Sequence, residues 1–129
     1  MEFRRGRSDE PSHPGDNVCA TSGDVLIDRL LKTDGVGVWS AMFKPGSYTY
    51  WHSHDNGQVF LISAGKGIIA TKDGDHHVVQ AGDVVHTPPG EVHFHGAAPD
   101  AFVTYTSISL GETRFGDPVS DEEYDGHWH

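Results

Sequence analysis

Apolar positions in this chain come in short runs, and turns bearing glycine or proline cut the runs apart. Residues 25–31 (V-L-I-D-R-L-L) predict a first strand, because Asp34-Gly35 follows at hairpin spacing before the next apolar run. Residues 36–43 predict a second, ended by Lys44-Pro45-Gly46, where proline presets φ for a turn. Residues 46–54 form a third, and 58–62 an almost continuous apolar run of the kind that suits a buried strand. Asp73-Gly74 joins residues 65–72 to 76–80 as a hairpin. Further strands are expected at 84–87, 92–95 and 102–110. Ser120-Asp121-Glu122-Glu123 has capping-box form and predicts one short helix. Many strands with almost no helix mean an all-β barrel or double-sheet jelly roll.

Composition narrows this only slightly. A chain of 129 residues holds one hydrophobic core. Residues 1–17 lack periodicity and read as a mobile N-terminal arm, 18–112 as the barrel, and 113–129 as an acidic C-terminal tail. The net charge of −10 argues against nucleic acid and against an anionic membrane as partner. The lone Cys19 can form neither an internal disulfide nor a cysteine-based metal site. No apolar stretch follows the basic N-terminus and none is long enough for a membrane span, so the expected location is the cytoplasm.

The chemistry is concentrated at His52-Ser53-His54. In a strand, residues two apart face the same side, so both imidazoles project together. The Asp55-Asn56-Gly57 turn returns the chain at Gln58, a third polar head near the same point. A second segment, Gly82 to His93 (G-D-V-V-H-T-P-P-G-E-V-H), supplies a further imidazole. Three imidazoles on a barrel wall suit a first-row transition ion such as Mn, Fe, Co, Ni, Cu or Zn.

These two segments resemble the paired motifs of the cupin family. Gly46, His52, His54 and Gly65 fall in the register of the first motif, with Gln58 where the family usually carries Glu. Gly82, Pro88, Gly90 and His93 fall in that of the second, with Ala97 in place of a terminal Asn. The resemblance implies a single-domain cupin barrel, a homodimer, and a divalent metal held by His52, His54, Gln58 and His93. Within the family the chain is most similar to small bacterial hydroxynitrile-lyase-like cupins. It shares with them Trp51-His52-Ser53-His54, Gly57-Gln58 and the stretch from Gly90 to Pro99. That similarity implies manganese on three His and one Gln, and cleavage or formation of a C–C bond to cyanide. Two positions depart from the group: Tyr105 stands where these lyases carry a proton-transferring histidine, and Trp39 where they carry a small residue.

Gln58 bears on mechanism. A neutral amide leaves the full +2 charge on the ion, which favours Lewis-acid over redox chemistry. The favoured function is therefore a metal-dependent, lyase-like C–C cleavage or isomerisation of a small oxygenated molecule. A metal-dependent dioxygenase and a non-catalytic metal- or small-molecule-binding cupin are the alternatives. His95 shares strand parity with His93 and, with Tyr105, is the candidate for moving protons. Trp39, Ala41, Tyr50 and Phe60 are the expected pocket lining. Glu91 is expected at the rim, and His76, His77, His127 and His129 at the surface.

Overall fold

The computed structural model describes residues 1–6, 11–15 and 21–128, so Cys19 and His129 lie outside the described residues. The described residues contain twelve strands: β1 (His13–Pro14), β2 (Thr21–Ser22), β3 (Val25–Thr33), β4 (Val36–Phe43), β5 (Tyr48–Thr49), β6 (His52–His54), β7 (Gln58–Thr71), β8 (His76–Gln80), β9 (Val84–Thr87), β10 (His93–Ala97), β11 (Val103–Leu110) and β12 (Thr113–Phe115). One helix, α1 (Asp121–Asp125), follows. The strands curl into a jelly-roll barrel in the order β1-β3-β4-β11-β7-β10-β5-β2, all antiparallel. No helix among the described residues is long and apolar enough to cross a membrane.

The sequence divides 58–72 into two strands, whereas β7 runs unbroken through both. Between Thr104 and Tyr105 of β11 its register slips by one residue, leaving Ser63 as the extra residue of a bulge. Ser63 Oγ reaches the Thr104 carbonyl at 3.0 Å. Two residues on, Gly65 takes φ +81°, and a Cβ there would lie 1.9 Å from the Phe102 carbonyl oxygen. Bulge and glycine together bend the strand, so its first half pairs β9 and β11 and its second half pairs β8 and β10. The bend is what closes the barrel.

The expected strand 46–54 is broken instead, into β5 and β6. Gly96 pairs with Tyr48 and His93 with His52, so four residues on one side span three on the other. The surplus falls at Tyr50-Trp51, where the Trp51 backbone bonds to Gly116 and Asp117 rather than to β10. Parity reverses across the break, with consequences for the pocket.

Both faces of the β10 sheet are buried, which is why every residue of His93–Ala97 is. The inner face joins the barrel core of Ile27, Phe43, Phe60, Ile62, Val103 and Tyr105. Its outer face carries Phe94, Ile68 and Ala70 beneath Tyr48, Trp51, Val119 and Tyr124. Residues 113–128 are thus not simply a solvated tail. Thr113–Phe115 pairs with β6, and Tyr124 of α1 donates from its hydroxyl to the Ala97 carbonyl at 2.6 Å. Ser120 and Glu123 cap α1 reciprocally, both bonds at 3.0 Å. Within the arm, His13–Pro14 pairs with Leu26 and Ile27 of β3, so that part is tied to the sheet.

Candidate metal centre and pocket

Four imidazoles meet inside the barrel because β6 and β10 lie side by side. His52 and His54 alternate inward on β6, His93 and His95 on β10, and His93 is the register partner of His52. Ring centroids are 4.5 Å apart for His52 and His93, 5.1 Å for His52 and His54, and 5.0 Å for His52 and His95. His52, His93 and His95 each place a ring nitrogen within 4.8 Å of the others, so this cluster can hold a metal ion. Burial keeps all four neutral. It lowers His54 and His93 to about 4, with His93 also repelling charge on His54. His52 and His95 fall well below the usual range, again chiefly by burial and then by neighbouring imidazoles.

The partners of each Nδ1 sort the four rings. His52 Nδ1–H donates to the Tyr50 carbonyl at 2.8 Å, and His93 Nδ1–H to the Glu91 carbonyl at 2.9 Å. A carbonyl only accepts, so the proton of a neutral ring must sit on Nδ1 and the lone pair on Nε2. His54 Nδ1 meets the Thr113 hydroxyl at 3.0 Å, and its buried Nε2 has no hydrogen-bond partner among the described residues. His95 Nδ1 is bonded to the Tyr105 hydroxyl. A phenol donates or accepts, so this tautomer alone among His52, His93 and His95 is free to switch.

Gln58 adds a further clue. Its Nε2 donates to Ser109 Oγ at 3.2 Å, which turns Oε1 towards His93 Nε2 at 2.9 Å. Two acceptors then face each other. A shared cation resolves the conflict, as does rotating the amide, and a cation would also give the buried His54 Nε2 a partner. Neutral imidazoles and an amide oxygen suit a divalent transition ion.

A cavity of about 150 Å³ opens onto the histidines. Trp39, Ala41, Ile27 and Phe43 form one wall, and Tyr105, Ser107 and Ser109, the inward row of β11, form another. His52, His54, Gln58, His95, Thr49, Thr113 and Phe115 complete it.

The cupin-domain family model matches residues 39–108. The chain is a cupin.

This cupin is 39% identical over 110 residues to an (R)-mandelonitrile lyase from Granulicella tundricola, the match covering 80% of the chain and 84% of the lyase. A cupin-like protein from Thermotoga maritima superposes with a TM-score of 0.79 at 29% identity, over 98% of this chain and 95% of that one. A polyketide cyclase from Streptomyces resistomycificus gives 0.73 at 18% identity, over 100% and 94%, a likeness of fold alone.

Of the residues singled out in the sequence, His52, His54, Gln58, His93, His95 and Tyr105 do come together, with Trp39 and Ala41 on the pocket wall. Tyr50 does not line the pocket; the break at Tyr50-Trp51 puts Thr49 there instead, where its hydroxyl accepts from the His95 backbone N–H at 3.1 Å. Phe60 lies behind the histidines, fully buried, with its ring 4.8 Å from that of His95 and 6.1 Å from that of His93. Ser107, Ser109 and Thr113 were not anticipated. Alternation along 102–110 marks both serines as sharing the face of Tyr105, a signal present in the sequence.

Proposed function

We propose that this cupin is a metal-dependent lyase that cleaves the C–C bond between a small aromatic 2-hydroxynitrile and its cyano group. The observation that carries the reading is His95: neutral, lining the cavity beside His52 and His54, and bonded through Nδ1 to a phenol that permits either tautomer. The similarity to an (R)-mandelonitrile lyase supplies the substrate class.

In this reading His52, His54, Gln58 and His93 hold the ion, and manganese is the favoured one. Bound there, a divalent ion supplies a Lewis acid for the substrate oxygen, strengthened by the neutral amide of Gln58. The chain's own residues do the rest. Tyr105 Oη accepts from His95 Nδ1–H, which leaves Nε2 as the base for the substrate hydroxyl. Thr49, by accepting from the His95 amide, keeps that ring in register with the cavity. Trp39, Ile27, Ala41 and Phe43 offer an apolar wall to an aryl group, and a cavity near 150 Å³ is about what one benzene ring occupies in a protein interior.

The test is release of benzaldehyde from (R)-mandelonitrile, followed by ultraviolet absorbance with manganese-loaded and chelated protein. The reading expects turnover that depends on the ion and not on oxygen. Turnover coupled to oxygen uptake would replace the lyase with a dioxygenase, and no turnover of any hydroxynitrile would leave a binding protein.

A further inference from the structure

Ser107 sits midway along the inward row of β11, about 6.7 Å along the strand from each of Tyr105 and Ser109. Both neighbours have a protein partner: the Tyr105 hydroxyl is bonded to His95, and Ser109 Oγ accepts from Gln58 Nε2. Ser107 does not. It lines the cavity, is only 6% exposed, and its hydroxyl makes no hydrogen bond among the described residues. Its register partners are Trp39 on β4 and Phe60 on β7, and neither side chain offers it an acceptor. A hydroxyl that borders the cavity with no protein partner is available to a ligand there. The group is therefore aimed at something that enters the cavity.

Resting on the lyase reading, three substituents of a 2-hydroxynitrile have to be placed. The hydroxyl belongs at His95 and the metal cluster. The aryl group belongs on the apolar wall of Ile27, Trp39, Ala41 and Phe43. What remains is the cyano group, which only accepts hydrogen bonds, and Ser107 carries the one hydroxyl of the inward row that no protein group engages among the described residues. We propose that Ser107 is a catalytic residue that donates a hydrogen bond to the cyano nitrogen and stabilises the departing cyanide.

The step balances without an outside reactant. The substrate O–H proton passes to His95 Nε2, and the O–H electron pair becomes the second C–O bond of the aldehyde. The C–CN electron pair leaves with cyanide, which takes up the proton and departs as hydrogen cyanide. Negative charge grows on the cyano nitrogen as the bond breaks, so the Ser107 bond is stronger in the transition state than in the substrate complex. A group that acts in this way raises kcat more than it lowers KM.

The experiment pairs kinetics with vibrational spectroscopy on metal-loaded wild type, S107A and S107T. For mandelonitrile cleavage, S107A is expected to lower kcat about 10- to 100-fold, a little below the effect of removing an oxyanion-hole donor. KM and metal content should stay near wild type, and S107T should restore most of the rate. The C≡N stretch of bound phenylacetonitrile, a nitrile without the reacting hydroxyl, should move to lower frequency in S107A as the hydrogen bond is lost. An active wild type whose S107A variant keeps full kcat, or an unchanged stretch, overturns the assignment. An inactive wild type whose nitrile stretch still responds to S107A upholds the contact and overturns the lyase reading.

Discussion

Neutrality at four neighbouring imidazoles is the residue-level fact from which the rest follows. A protonated ring here would lose its lone pair, face other imidazoles and sit in a poorly solvating core. The cost appears on acidification. The folded chain holds His54 and His93 near 4, whereas an unfolded histidine titrates near 6.5, so the unfolded state binds more protons between those values. Stability from these groups is complete above about pH 6.5 and lost as pH falls towards 4. Chelated protein should therefore show a melting temperature that is flat at neutral pH and falls steeply below about 6.5. A melting temperature that holds level down to pH 4 would mean the histidines are hydrated and not buried together. At the same scale, the lyase reading expects H95N to retain a bound metal and to lose at least about 100-fold in kcat for mandelonitrile cleavage, the loss typical of removing a general base.

Element by element, the sequence was most legible where local chemistry decides. Asp34-Gly35 and Asp73-Gly74 both end strands where the turn residues say they should, and the Ser120 capping box starts α1. It was least legible where distant pairing decides. The split of 46–54 depends on β10 and on residues 116–117, and the continuity of β7 on a bulge opposite Thr104. Neither partner can be read from the strand's own residues. For the same reason the sequence puts Tyr50 in the pocket, whereas the shared parity of His52 with His54 and of His93 with His95 survives because each pair lies within one unbroken strand. Three substitutions at two positions probe these elements. Gly65→Ala would drive a Cβ into the Phe102 carbonyl at positive φ, and should prevent folding or leave only a small soluble fraction in an expression trial. Tyr124→Phe removes only the bond to Ala97 and should cost about 1 kcal/mol, whereas Tyr124→Ala also empties the space between Tyr48 and Trp128 and should cost about 3–5. Denaturant melts that show no difference between the two would mean α1 is not docked.

For the whole molecule, the barrel is a frame that brings two remote histidine pairs to one point. A ligand that binds only the folded state stabilises it, by about 2.7 kcal/mol at one hundred times its dissociation constant. An ion held by these histidines should thus serve as a clasp between β6 and β10, and the −10 net charge of the chain makes capture of a cation easier. The most direct measurement is the metal-to-protein ratio by elemental analysis of wild type, H54A and H95N, each purified without added metal. The account predicts close to one divalent ion per wild-type chain, close to one in H95N, and little in H54A. A wild type that carries no ion and takes up none, or an ion retained by H54A and lost from H95N, would contradict it.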